Sequence, residues 1–232
     1  IKIQTPVFEG YLIAKLENNE LRGNYLKPSM NRIIPFRAKK ASERFDITTS
    51  PTVDVSGNWE TRFTDSESNT SYQAKGILKQ NGHKVTGTFR TATGDYRFLD
   101  GVVDGDSLKL STYDGSRVLL FKAKTTEDSL NGVFYKGNHG KELFTAKRNE
   151  DFELANESNL ISIKRGYENF DFSFTDANGR LVSLSDPEFS NKVIVIQIMG
   201  SWCANCLDES RFLSEFYKEN KNKDFTIISL DF

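Results

Sequence analysis

The chain has 232 residues, 37% hydrophobic, 27% charged and 12% aromatic, a balance that describes folded globular domains with real cores and excludes a disordered polymer. Its net charge of −1 gives no electrostatic reason to expect nucleic acid or an anionic membrane surface as partner. No apolar run reaches the roughly 18–20 residues that a membrane helix needs, and two cysteines with two histidines are too few for a disulfide scaffold or a structural zinc site.

The chain opens Ile1-Lys2-Ile3-Gln4, an alternation that reads as a strand. No methionine precedes it, so the true N-terminus is expected upstream, where a signal peptide or lipid anchor would have been removed. Residues 1–150 read almost entirely as β structure. Strand-like segments recur at Tyr72–Lys79, Lys84–Thr91, Tyr96–Val103, Ser107–Ser111, Arg117–Lys124 and Leu143–Lys147. Between them stand Asn81-Gly82, Thr93-Gly94-Asp95, Asp104-Gly105-Asp106 and Asp114-Gly115, which supply the positive φ that tight hairpins require. Connections this short join antiparallel neighbours, so an up-and-down meander is expected.

A weak repeat supports it. The pattern apolar-x-Gly-x-apolar occurs at Leu21–Tyr25, Val55–Trp59, Val85–Phe89, Leu99–Val103 and Leu130–Phe134. Glycine inside a strand marks a bend or a close backbone approach, as a strongly curved or closed sheet needs. Such a meander resembles the calycin-type barrel of lipocalins and avidins in architecture, which by itself does not license ligand binding. His83 and His139 lie beside glycines in turn-like stretches and read as surface residues.

Asn149-Glu150-Asp151 and Asn156-Glu157-Ser158 make a polar connector, so the expected division is a β domain over 1–150, a linker over 151–166 and a second domain over 167–232. Beyond it, Phe172–Asp176 and Arg180–Leu184 flank Asn178-Gly179, a hairpin signal. Asp186–Phe189 reads as a single helical turn. Val193–Met199 is a continuous apolar run broken only by Gln197, as expected for a buried central strand. From Cys203 the period becomes helical, with Leu207, Phe212, Leu213, Phe216 and Tyr217 on one stripe, until Asn220–Lys223 ends it. Phe225–Phe232 then reads as another buried strand, which makes a βαβ unit with a parallel pair.

The two cysteines of the chain are Cys203 and Cys206, in Trp202-Cys203-Ala204-Asn205-Cys206. At a strand-to-helix junction this spacing has a physical logic. The first cysteine meets the unpaired N–H groups and positive dipole end of the helix, which favour a thiolate. Cys203 is therefore the expected nucleophile, forming a mixed disulfide with a partner. Cys206, one turn later and expected to be more buried, would resolve it.

With these residues in view, Phe172–Phe232 resembles the front half of a thioredoxin-fold domain of the TlpA/ResA type. The resemblance rests on Phe172-Ser173-Phe174-Thr175-Asp176, on Gly179–Asp186 and on Ser201–Cys206. Residues 1–150 resemble, on weaker motifs, the β-rich region that precedes this domain in some Bacteroidetes-like envelope proteins. The resemblance implies a thiol–disulfide oxidoreductase, commonly a reductase, in the periplasm or cell envelope. Its partners would be disulfide or thiol proteins and a membrane-bound electron donor, and no cofactor is expected. It places Cys203 and Cys206 as the redox pair, Trp202 as the flanking tryptophan that contacts substrate, and Glu209 as the acidic residue three positions after the second cysteine. Gln197 falls where thioredoxin has a buried aspartate, which would make Glu209 the acceptor of the Cys206 proton.

Two departures stand out. Arg211 replaces the proline that usually kinks this helix, so a straighter helix is expected. The cis-proline loop that faces the cysteines in such domains has no counterpart, so the expectation is a fragment of a longer protein. A peroxidase of the same fold would need a threonine three positions and a proline seven positions before its cysteine; Gly200 and Ile196 stand there. The remaining alternative is a non-catalytic docking module whose β domain holds a ligand or partner beside an inactive, truncated redox unit.

Overall fold

The computed structural model describes residues 1–5, 10–28, 31–138, 140–155, 162–221 and 223–232. His139, Asn156-Glu157-Ser158 and Asn222, on which expectations were placed, lie outside them. The chain forms two compact units, Ile1–Ala155 and Asn156–Phe232.

The first unit opens with an antiparallel sheet that the strand pattern does not announce beyond its first strand and one glycine motif. It runs β1 (Lys2–Gln4), β2 (Tyr11–Glu17), β3 (Glu20–Lys27) and β4 (Arg32–Lys39) in sequence order. Glu17 pairs with Glu20 across Asn18 and Asn19, at φ 50° and 64°, a two-residue turn of the kind whose twist matches its strands.

The second sheet is β5 (Gly57–Asp65), β6 (Ser71–Asn81), β7 (Lys84–Thr91), β8 (Gly94–Asp95), β9 (Leu99–Asp104), β10 (Ser107–Tyr113), β11 (Val118–Thr125), β12 (Ser129–Lys136) and β13 (Gly140–Arg148). Each pairs antiparallel with the next, β8 being a short flap on β7, and β13 returns to β5. Eight strands therefore close an up-and-down barrel, which leaves no sheet edge unpaired. The glycine repeat makes closure possible. A Cβ on Gly87 or Gly101 would lie 2.1 or 1.8 Å from the carbonyl oxygen of Ile77 or Lys109 on the neighbouring strand, a separation that only glycine permits.

Alternation along the strands turns Phe63, Phe89, Phe121, Phe134 and Phe144 inward, with Trp59, all fully buried or nearly so. The Phe121 and Phe134 rings stack at 4.1 Å, and the cluster fills the barrel as a solid aromatic core. This differs from the open cup of a lipocalin, because bulky inward side chains occupy the space a ligand would take. Glu142 also faces inward and is buried. It accepts hydrogen bonds from the Tyr72 hydroxyl at 2.6 Å and from Lys136 Nζ, while the Tyr72 and Tyr96 hydroxyls bond to each other. Burial pushes the Tyr96 phenol up to about 12 and raises Tyr72 further. Lys75, buried on β6, pairs with Glu153 at 2.5 Å, and Glu150 accepts the Asn58 N–H. His83 is not the surface residue expected; it is half-buried, with Nδ1 3.1 Å from the Val103 carbonyl oxygen.

The second unit begins with the hairpin β14 (Ser173–Thr175) and β15 (Leu181–Ser183). The Asp176 carboxylate takes the backbone N–H groups of Arg180 and Asn178, each at 2.9 Å, which hold its acid below the usual carboxylate value. A 3-10 turn at Pro187–Phe189 follows. Then come β16 (Val193–Met199), α1 (Ala204–Asn220) and β17 (Phe225–Asp231), with β16 and β17 parallel. The expectation of two buried central strands is corrected here. Val193 and Ile198 are 68% and 67% exposed, and β17 has no buried residue. Each of these strands has one strand neighbour, so the apolar run records what the sequence is suited to bury, and a single partner does not cover it. Among the described residues, no helix is long and apolar enough to cross a membrane.

Candidate active site

The βαβ unit brings the cysteines to the point where β16 gives way to α1. Gly200 accepts the Cys203 N–H at 2.9 Å, closing the turn. Cys203 then takes extended backbone angles, φ −96° and ψ 111°, and stands as the N-cap of α1. Its Sγ accepts the Cys206 N–H at 3.2 Å, the place a serine or aspartate oxygen holds in an ordinary cap. No acidic side chain lies in the first turn of α1, so that turn adds no negative charge against the positive end of the helix. Cys203 and Cys206 form a disulfide with Cα atoms 5.2 Å apart. Both cysteines are half-buried, so the expected contrast in burial between them is not seen.

The turn ahead of the pair is held to the end of β17. The Ser201 N–H donates to the Asp231 carboxylate at 2.9 Å, and the Trp202 indole N–H donates to the Phe232 carbonyl at 3.3 Å. The indole also meets the Phe232 ring edge-on at 5.8 Å, yet Trp202 remains 43% exposed. It is an apolar surface adjoining the disulfide. A Cβ at Gly200 would lie 2.5 Å from this indole, so glycine there lets the ring lie down over the turn.

Gln197 is the buried polar residue beneath the pair, and its amide is fully used. Nε2 donates to the Glu209 Oε2 at 2.9 Å and to the Cys206 carbonyl at 3.2 Å. Oε1 accepts from the hydroxyls of Ser229, at 2.9 Å, and Ser210, at 3.1 Å. Glu209 is exposed at its outer side and is joined to the backbone of Cys206 through this amide. Arg211, on the outside of the helix, pairs with Asp208 at 3.0 Å, and α1 continues unbroken past it. Ser210 and Ser229 were not singled out from sequence. Ser210 follows Cys206 by one helical turn, a spacing visible in the chain, whereas Ser229 meets Gln197 only through the parallel register.

Residues 165–230 match the Redoxin family. The same region is similar to proteins named thiol-disulfide oxidoreductase ResA. It is 35% identical over 66 residues to those of Bacillus thuringiensis subsp. konkukian (strain 97-27) and Bacillus cereus (strain ATCC 10987 / NRS 248). It is 33% identical over the same length to that of Bacillus anthracis. The C-terminal segment is ResA-like, of the thioredoxin fold. The ResA match covers 28% of this chain, and the chain spans 37% of the length of these relatives. The β-rich first unit lies outside the ResA-like region, and no solved structure matches the chain significantly.

Proposed function

We propose that this chain belongs to a thiol–disulfide oxidoreductase that exchanges the Cys203–Cys206 pair with cysteines of partner proteins, working as a reductase. The single observation that carries this reading is Cys203 as the N-cap of α1, its sulfur aimed at the first free N–H groups and disulfide-bonded to Cys206. In the reduced state the same N–H groups and dipole favour a Cys203 thiolate. That thiolate attacks a partner disulfide, giving a mixed disulfide and one partner thiolate. The Cys206 thiol then loses its proton to Glu209 and attacks the Cys203 sulfur. The intramolecular disulfide forms, the second partner thiolate leaves, and two electrons have passed to the partner. Exposed Trp202 offers the apolar surface against which a partner segment would lie.

The name ResA on the similar proteins supports the reaction class, and the same resemblance is the ground for an envelope or periplasmic setting. There a membrane-bound donor would return electrons to the pair, and a lipid anchor would attach the protein. The division into a β domain over 1–150, a connector over 151–166 and a redox domain over 167–232 belongs to the same reading. An insulin-reduction assay with dithiothreitol tests it. The chain should accelerate insulin precipitation, and Cys203→Ser should return the rate to that of dithiothreitol alone. Equal rates with and without the unaltered chain would overturn the reading.

A further inference from the structure

Gln197 sits where its amide could face either way, and the hydrogen-bond inventory decides the orientation. The Cys206 carbonyl oxygen, 3.2 Å away, can only accept, so the NH2 end must point to it. The second Nε2 hydrogen is then committed to Glu209 Oε2 at 2.9 Å. On the other side, Ser229 and Ser210 supply hydroxyl hydrogens to Oε1; the Ser210 hydrogen is shared with the Cys206 carbonyl, 2.8 Å from its Oγ. Turning the amide over would set Oε1 against two acceptor oxygens and leave Gln197, which is buried, unsatisfied.

We infer that Gln197 is a positioning residue for proton transfer, locked by Ser229 and Ser210: its NH2 group holds Glu209 Oε2 and the Cys206 carbonyl oxygen together, so the carboxylate is kept one hydrogen-bonded link from the backbone of the resolving cysteine. The inference rests on the exchange reading above and adds to it a neutral amide with two hydroxyls that aims the acid. β16 carries no charged residue. On the elements packed against it, Asp208 is paired with Arg211 on α1, and Asp231 on β17 takes the Ser201 N–H. Glu209 is thus the carboxylate hydrogen-bonded to this amide.

The reduced chain mixed with the chromogenic disulfide dithiobis(nitrobenzoate) tests both layers at once. One coloured thiolate is released when Cys203 attacks, and a second when Cys206 resolves the mixed disulfide, so the phases report separate steps. Gln197→Leu should leave the first phase unchanged, slow the second about tenfold at neutral pH and move its pH profile. Ser229→Ala, at an exposed position that does not threaten the fold, should slow the second phase about threefold in the same sense. A second phase with unaltered rate and pH profile in both variants would overturn the positioning role while leaving the exchange chemistry standing. Loss of both phases in the unaltered chain would overturn the exchange reading, and the positioning role with it.

Discussion

In the barrel every one of the eight main strands has a neighbour on each side, and the inward aromatic side chains are removed from water almost completely. In the ResA-like unit β16 and β17 pair with each other, and Val193, Ile198, Phe212 and Phe216 stay largely exposed. The two regions have comparable apolar runs, so the difference lies in topology. A closed antiparallel ring supplies its own partners and its own core. A single parallel βαβ unit has one packed face at most, and what it positions well is local: the cap, the turn and the polar cluster under the cysteines. Buried apolar packing is therefore concentrated in the first unit, while the disulfide lies in the second.

The sharpest way to break this contrast is to remove a ring from the barrel. Phe121→Ala deletes a fully buried side chain stacked on two neighbours and should cost about 3–5 kcal/mol of barrel stability. Urea denaturation followed through Trp59 fluorescence, with Trp202→Phe as background, measures it. The disulfide-reagent kinetics of Cys203 should not change below the new midpoint. A smaller effect is expected from alkali. The Tyr96 phenol is raised from 10.0 to about 12 in the folded barrel. An unfolded chain would ionise first, so this stabilisation is intact below about pH 10 and is lost as pH rises through about 12. The barrel should therefore loosen in that window in a pH-dependent denaturation series. Tyr96→Phe should weaken the dependence, and no change in its slope would count against a buried, neutral Tyr96.

Much of the barrel was legible because its signals are local. Asn81-Gly82 and Asp104-Gly105 form turns with glycine φ of 58° and 60°, and β7 spans the Lys84–Thr91 stretch that its strand pattern marked. The first sheet was not legible: Asn18-Asn19 is a weaker turn signal than Asn-Gly, and Arg32–Lys39 carries Pro35, which argues against a strand unless it lies at an edge. β4 is such an edge. At the redox pair, the cap role of Cys203 followed from spacing and the change of period. The hydrogen-bonded tie between Glu209 and Cys206 could not follow, because it runs through a buried amide whose partners come from both α1 and β17. Apolar content misled where it was read as burial, since β16 has the composition of a central strand and the exposure of a strand with one neighbour.

The central claim, that Cys203 is an activated nucleophile at a helix N-terminus, is tested most directly by alkylating the reduced chain with iodoacetamide across pH and locating the label by peptide mass. The account predicts that Cys203 is labelled first, with a midpoint well below the ordinary thiol value of about 8.5, while Cys206 is labelled slowly. Equal labelling of both cysteines with a midpoint near the ordinary value would contradict it.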